Sequence, residues 1–199
     1  YLGKYEVTQA QYAVVMSGNS NSLNPSPSNW PNNPNRPVEQ VSWDDVQIFL
    51  TRLNASEQAA GRLPAEWSYV LPTESQWEYA CRAGTTTAYS WGSTIGAGNA
   101  NFNSGSDPDR TEDVGQYAAN PWGFYDMHGN VWEWCADWYG TYPVGPVTDP
   151  PGAASGTERN LRGASWNNTV SRLRSAWRFK KATTFTNTLI GFRVGFQKQ

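Results

Sequence analysis

The sequence predicts a single irregular α+β domain with two or three helices, short strands and long loops. Its 199 residues are enough for one buried core. They include 11 tryptophans, 18 glycines and 13 prolines, which is typical of many short elements separated by turns rather than of a helical bundle. Helix start signals occur only before residue 84, and short apolar segments between turn-forming residues follow. We therefore expect residues 1–199 to form one domain.

Three helices are predicted from residues that cap their amino termini. Thr8 and Thr73 are each followed three residues later by a glutamine, the pattern of a capping box. Ser42 precedes a stretch, positions 43–53, whose apolar residues recur at spacings of three and four. The third helix is expected to end at Gly84, because glycine readily adopts the left-handed conformation of a helix end.

After the third helix, six short strands are predicted between Gly-, Pro- and Asn-rich turns. Their positions are 89–92, 114–117, 131–138, 159–166, 173–179 and 191–196. In the third strand, Trp132, Trp134 and Trp138 lie at even offsets, so that all three are expected on one face. Glu133 and Asp137 would then lie on the opposite face.

Charge is distributed unevenly along the chain. From Arg159 onward there are nine Lys or Arg residues and no Asp or Glu, whereas the first 158 residues hold all 17 acidic residues. A basic arm for nucleic acid is one interpretation. The other is that these cations bind the acidic part of the same domain. We favour the second and expect no nucleic-acid partner, because the same segment is rich in aromatic and aliphatic residues that must pack.

The cysteines and the termini say little about the cellular compartment. Cys81 and Cys135 are the only cysteines, and either a disulfide or two buried thiols is compatible with the sequence. No apolar run approaches the roughly 18 residues that a membrane span needs. No targeting signal is recognisable either, and the chain begins with Tyr1 rather than methionine, as an amino-terminally trimmed chain would.

Several segments, in order along the chain, resemble the formylglycine-generating enzyme (sulfatase-modifying factor) family. The most specific contains the run Asn-Val-Trp-Glu-Trp at 130–134. The resembling segments are residues 3–8, 37–43, 71–80, 120–134, 162–166 and 190–194. The resemblance implies a variant of the C-type-lectin fold. One departure is at the start, where the family's usual first strand or strands are missing.

The resemblance does not imply the family's oxidase activity. Active members are copper- and oxygen-dependent oxidases that convert a protein cysteine to formylglycine, and they need two thiols because Cu(I) prefers soft ligands. The two matching positions in this sequence are Asn168 and Leu173. We therefore expect no copper site and no catalytic residues, and this oxidase remains the alternative to a non-catalytic function.

Non-catalytic members of the family include the variable proteins of diversity-generating retroelements. In these the hypervariable segment lies between stretches that match residues 162–166 and 191–193. The resemblance thus favours a ligand-binding or display domain that uses its carboxy-terminal loops, with a protein or another macromolecule as the ligand. The candidate binding residues are Asn167, Asn168, Val170, Arg172, Trp177, Phe179, Lys181, Phe185 and Asn187.

These assignments carry an expectation about burial. Arg162, Trp166, Gly191 and Phe192 are expected to be buried as framework. The residues expected to form one exposed recognition surface are Asn168, Trp177, Phe179, Lys181, Phe185 and Asn187. For Trp177 a place in the core is an equal alternative.

A structural calcium ion is the cofactor that the resemblance implies. The matching ligands are the side chains of Asp126 and Glu133 and the carbonyls of Gly129 and Val131, hard oxygen donors of the kind Ca²⁺ prefers. The alternative is that Asp126 caps a turn and Glu133 pairs with a carboxy-terminal arginine.

A second, weaker calcium site would use groups further back along the chain. Its residues would be Asn101, Phe102 and an aspartate near Asp107 or Asp109.

Overall fold

The three helices begin where the capping residues predict. A computed structural model describes residues 1–105 and 109–199 of the chain. Helix α1 is Gln9–Met16, α2 is Trp43–Ala59 and α3 is Glu74–Arg82. In each case the predicted cap, Thr8, Ser42 or Thr73, accepts a hydrogen bond from the third residue of the helix, whose side chain bonds back to the backbone of the cap. None of the helices in the described ranges is long and apolar enough to cross a membrane.

Within residues 1–105 and 109–199, six strands form two sheets. They are β1 (Trp67–Val70), β2 (Trp132–Trp138), β3 (Glu158–Arg162), β4 (Phe179–Ala182), β5 (Ile190–Gly191) and β6 (Gly195–Lys198). The larger sheet has the order β4-β3-β2-β5, in which only the β2–β5 pair is parallel. The smaller sheet pairs β1 with β6, and the amino terminus joins it because the Tyr1 ammonium donates to the carbonyl of Phe196. The predicted α+β class with short strands and long loops is confirmed.

The strand predictions are correct for β2, β3 and β6 and wrong in three places. Residues 114–117 form no strand, and residues 89–92 form only an isolated bridge between Tyr89 and Gly92. Most of the predicted strand at 173–179 is irregular and follows a short 3-10 helix, Val170–Arg172, so that β4 begins only at Phe179. Strand β1 was not predicted at all.

The central strand β2 carries the aromatic core, but not with all three tryptophans. Trp132 and Trp134 are buried in the main hydrophobic cluster, together with Val46 and Phe49 of α2. The pairing register with β3 shifts between Trp134 and Trp138, and Trp138 leaves the core. The prediction of one common face is therefore wrong for Trp138.

The basic carboxy-terminal residues bind acidic groups from the first part of the chain. Buried Arg162 contacts Glu74 and Glu78 of α3, and Arg178 also pairs with Glu74. Buried Arg193 pairs with Glu133 of β2. The interpretation that the arginines bind the same domain is thus correct for these three. Both cysteines are free and buried, which decides between the two alternatives for Cys81 and Cys135.

Candidate functional site

The two positions that match the oxidase thiols hold buried, non-thiol side chains. The amide oxygen of Asn168 accepts hydrogen bonds from the backbone nitrogen and the hydroxyl of Ser165, at 3.0 and 2.9 Å. Leu173 is fully buried in the main core. The prediction that Asn168 lies on an exposed surface is therefore wrong, because its side chain closes a turn inside the protein.

The single histidine lies close to these positions and is held neutral. Nδ1 of His128 donates to the carbonyl of Leu173 at 2.6 Å, and Nε2 accepts from the backbone nitrogen of Ser90 at 3.3 Å. Burial lowers the pKa of His128 to about 4. The thiol of Cys81 is 3.5 Å from Nε2.

Neither cysteine is poised to bind a soft metal. Burial raises the pKa of Cys81 to about 12, and it raises the pKa of Cys135 well above its usual range. A cysteine binds Cu(I) as its thiolate, so thiols whose pKa is raised in this way do not fit a Cu(I) site. The donor set present here therefore does not suit the copper chemistry of the oxidases.

Three of the predicted binding residues form a small cluster beside the core. The ammonium of Lys181 lies over the rings of Phe179 and Phe185, at 5.4 and 4.4 Å from their centroids. The ring of Phe179 packs 5.3 Å from Trp132. Both phenylalanines are half-buried against the main core, so they support the fold as well as border the surface.

The other predicted residues have separate environments. Asn167 is exposed, as are Val170 and Arg172 in the 3-10 helix. Trp177 is half-buried against the core. Asn187 accepts a hydrogen bond from the backbone of Gln40 through its carbonyl, which ties its loop to the start of α2.

The nine candidates are therefore not uniformly exposed. The framework predictions are correct for Arg162, Gly191 and Phe192, which are buried. Trp166 is only half-buried, and its ring meets Trp30 edge-on at 5.5 Å.

A wide groove that no sequence pattern predicted lies beside α3. It has a volume of about 850 Å³ and lies between α3, the end of β2, the loop over residues 140–153 and the segment before β4. The carboxy-terminal segment contributes Ala176 and Arg178 to its wall. The signal available in the sequence is the Gly- and Pro-rich stretch that follows β2.

The Arg178–Glu74 ion pair and Tyr142 form part of the groove wall. The guanidinium of Arg178 makes two hydrogen bonds to the carboxylate of Glu74, at 2.5 and 2.6 Å. The same guanidinium lies over the rings of Tyr139 and Tyr142, at 4.5 and 3.9 Å. Burial and the nearby Glu74 raise the pKa of Tyr142 to about 12, so its hydroxyl remains a hydrogen-bond donor at neutral pH.

The predicted calcium ligand Glu133 is paired with a carboxy-terminal arginine. Its carboxylate accepts hydrogen bonds from Arg193 at 2.8 and 3.0 Å and from the indole of Trp77 at 2.7 Å. This is the arrangement that the alternative interpretation of Glu133 described. Asp126 accepts a hydrogen bond from the backbone of Gly115 at 2.7 Å, and burial raises its pKa to about 6.

The region around these residues nevertheless contains more buried acid than base. Glu6 is buried, and its pKa is raised well above the usual value by burial and by the charges of Asp126 and Glu133. Arg193 is the cation that lowers the pKa of both Glu6 and Asp126. Three carboxyls thus share one buried guanidinium, and Arg193 can neutralise only one of them when they ionise.

The second predicted calcium site is only partly described. The carbonyl of Asn101 accepts a hydrogen bond from Asn130, and that of Phe102 accepts one from Ser104. Asp107 lies outside the described residues. Across residues 1–105 and 109–199 no three His, Cys, Asp or Glu side chains come together as a metal-binding group. Calcium binding through side chains and carbonyls stays a prediction at both sites.

Comparison with protein-family models decides the family. Residues 1–197 match the sulfatase-modifying factor enzyme 1-like domain. The chain belongs to this family. The fold is accordingly the C-type-lectin-like fold of the formylglycine-generating type that the sequence predicts, with the family model covering nearly the whole chain.

Relatives of this sulfatase-modifying factor domain include proteins named as formylglycine-generating enzymes and as serine/threonine-protein kinases. The chain is 33% identical over 179 residues to the formylglycine-generating enzyme of Streptomyces coelicolor, covering 80% of this chain and 52% of that protein. It is 42% identical over 128 residues to the serine/threonine-protein kinase pkn1 of Chlamydia caviae, covering 62% of this chain and 20% of the kinase. The chain thus spans about half or less of the length of these relatives.

Two solved structures share the fold over the whole chain. Treponema denticola variable protein 1 superposes with a TM-score of 0.81 at 28% identity, covering 100% of this chain and 84% of that one. PvdO from Pseudomonas aeruginosa superposes with a TM-score of 0.82 at 25% identity, covering 100% and 80%.

Proposed function

We propose that this domain is a non-catalytic, calcium-stabilised ligand-binding domain. Its carboxy-terminal segment, residues 167–187, would bind a protein or another macromolecule. The observation that carries the proposal is the groove of about 850 Å³, to which this segment contributes Ala176 and Arg178. Grooves of this size, lined by aromatic rings and a few fixed polar groups, are typical of ligand sites.

The non-catalytic part of the proposal rests on the positions that match the oxidase thiols. Asn168 and Leu173 are both buried and have no group that would bind copper. The only thiols in the chain have raised pKa values and lie at other places. The site therefore lacks the chemistry through which the formylglycine-generating relatives would act.

The binding part of the proposal is supported by likeness to a variable protein. The structure shares its fold, over the full chain, with Treponema denticola variable protein 1. A finer form of the proposal is that residues 167–187 are diversified by a retroelement. Sequencing of the gene's neighbourhood would test this, since a reverse transcriptase and a near-copy of the segment after Arg162 should be found there.

The calcium part of the proposal rests on the oxygen donors between Asp126 and Glu133, beside the buried guanidinium of Arg193. The carboxyl of Asp126 and the carbonyls of Gly129 and Val131, which follow it closely in sequence, are hard donors that suit Ca²⁺. For Glu133 to be a ligand, its carboxylate would have to contact the calcium ion and Arg193 at the same time.

Selection of peptides tests whether the groove binds ligands. The immobilised domain is panned against a random-peptide phage library, and selected peptides are measured against two tryptophan variants. Ala176→Trp fills the groove from its wall, whereas Ala182→Trp places the same exposed side chain on β4, outside the groove. Peptides that bind the wild type and Ala182→Trp but not Ala176→Trp support the proposal. Failure to select any groove-dependent binder would contradict it.

A further inference from the structure

Several exposed aromatic and aliphatic side chains line the groove or lie beside it. Tyr79 is 69% exposed, Tyr142 is 55% exposed and Val147 is 52% exposed, and all three line it. The ring of Trp122, 46% exposed, stands edge-on to Tyr79 at 4.8 Å and extends the same surface. Large apolar groups that remain exposed side by side mark interaction surfaces rather than ordinary solvent-facing positions.

The charged groups of the groove are already ion-paired or hydrogen-bonded within the protein. Glu74 is bound by Arg178, and Glu78 pairs with Arg82 at 2.8 Å. Asp137, also in the wall, accepts hydrogen bonds from the backbone of Glu74 at 2.6 Å and from a side-chain amide at 2.7 Å. A strongly charged ligand would find no unpaired partner here, so the groove is complementary to an uncharged ligand.

The rim also offers hydrogen-bond donors beside the ring faces. Within the described part of the chain, neither the indole N–H of Trp122 nor the hydroxyl of Tyr79 has a protein partner. Ring faces flanked by such donors suit a chain that presents carbonyl oxygens and apolar rings but few N–H groups. Proline has no backbone N–H, and a polyproline II helix exposes its carbonyls fully.

We propose that the groove binds an extended, proline-rich peptide segment in the polyproline II conformation, with Tyr79, Trp122 and Tyr142 as its ring platforms. The proposal rests on the proposed function, because it names the ligand class of the same groove. Aromatic-lined grooves bind such segments at low entropic cost, since the peptide is extended before it binds. The rings supply contact area, and the donors at the rim fix the register of the carbonyls.

Fluorescence anisotropy with a labelled ten-residue polyproline peptide tests this. A Gly/Ser peptide of the same length and label is the control ligand. We expect the polyproline peptide to bind and the control not to. Tyr79→Ala and Trp122→Ala should each weaken binding by about tenfold or more, as truncation of central aromatic residues does. Tyr1→Ala removes an exposed tyrosine outside the groove and should leave binding unchanged.

Tyr79→Phe removes only the hydroxyl and keeps the ring, so it is unlike Tyr79→Ala in leaving the packing of the side chain intact. A loss of binding in this variant cannot be ascribed to misfolding. The variant should retain most of the ring's contribution and lose only the hydrogen bond, giving an intermediate affinity. Equal binding of both peptides, no binding of the polyproline peptide, or binding that survives Ala176→Trp would each overturn the proposal. Concentration-dependent self-association that Ala176→Trp abolishes would identify a second copy as the occupant and would also overturn it.

These outcomes separate the two proposals. If the phage selection yields groove-dependent peptides that are not proline-rich, the ligand class is wrong and the ligand-binding function stands. If no selected peptide depends on the groove, the function itself fails.

Discussion

Replacement of the buried carboxyl Glu39 should change how stability depends on pH. Glu39 is fully buried behind the loop over residues 19–37, and one of its oxygens accepts a hydrogen bond from the backbone of Asn29 at 2.6 Å. The other oxygen has no hydrogen-bond partner among the described residues. Burial raises the pKa of Glu39 to about 7, from the ordinary value of 4.5. The folded protein therefore holds a proton there that the unfolded chain releases.

The direction and size of the effect follow from this difference in pKa. Below about pH 4.5 the carboxyl is protonated in both states and the shift has no effect on stability. Between 4.5 and 7 the folded state binds more protons than the unfolded state, so the free energy of unfolding falls as pH rises. Since each pKa unit corresponds to about 1.4 kcal/mol, the fall attributable to Glu39 is about 3 kcal/mol and is complete above pH 7.

Urea unfolding of the wild type and of Glu39→Gln between pH 4.5 and 8 measures how much Glu39 contributes to the pH dependence of the unfolding free energy. Glutamine cannot ionise, so the difference in unfolding free energy between the variant and the wild type should move by about 3 kcal/mol in favour of the variant across that range. Any cost of the new amide is the same at every pH. Glu66→Gln, at an exposed carboxyl, is the matched control and should show no such change. Identical pH profiles for Glu39→Gln and the wild type would refute the reasoning.

Three further predictions concern metal, charge and catalysis. Calcium at about a hundred times its dissociation constant should stabilise the wild type by about 2.7 kcal/mol, and Asp126→Ala should abolish this stabilisation. Equal melting temperatures of the wild type in chelator and in millimolar calcium would contradict the site. Arg193→Ala should lower the free energy of unfolding by about 3–5 kcal/mol, because it leaves Glu133 buried without its cation. Lys198→Ala, in an exposed pair, should cost less than about 1 kcal/mol in the same urea titration. Mass spectrometry should detect no aldehyde on a sulfatase-motif peptide incubated with the protein and copper, and its formation would support the oxidase alternative.

The helices were predictable because their signals are local. A hydroxyl at Thr8, Ser42 or Thr73 satisfies backbone N–H groups within the next helical turn, and the structure shows all three reciprocal caps. The pairing of arginines with acidic groups was predictable from composition alone, but the individual partners were not. Which carboxyl Arg162 meets depends on how α3 packs against β3, and no short-range pattern encodes that.

The candidate site was predicted less well because its parts are distant in sequence. The groove joins residues of α3 near position 78 to a loop near 145 and to Arg178, and only tertiary packing brings them together. The prediction that Trp138 lies on the same face of β2 as Trp132 and Trp134 was wrong because it also ignored tertiary structure. Period-two alternation assumes a regular ladder, whereas the register between β2 and β3 shifts before Trp138. Outside the core, the guanidinium of Arg159 covers the ring of Trp138, at 3.4 Å from the ring centroid.

The backbone of the carboxy-terminal segment is anchored in a way that would suit the proposed binding role. Arg162 donates to the carbonyls of Ser175 and Trp177, at 2.7 and 2.8 Å, while contacting the acidic residues of α3. These bonds hold the backbone of the segment and leave the exposed side chain of Ala176 free. Arg162 binds main-chain carbonyls, which every residue has. Substitution of the side chain at Ala176 or Arg172 therefore removes none of these contacts. A rigid framework that fixes a backbone while its side chains can change is what a ligand-binding loop requires.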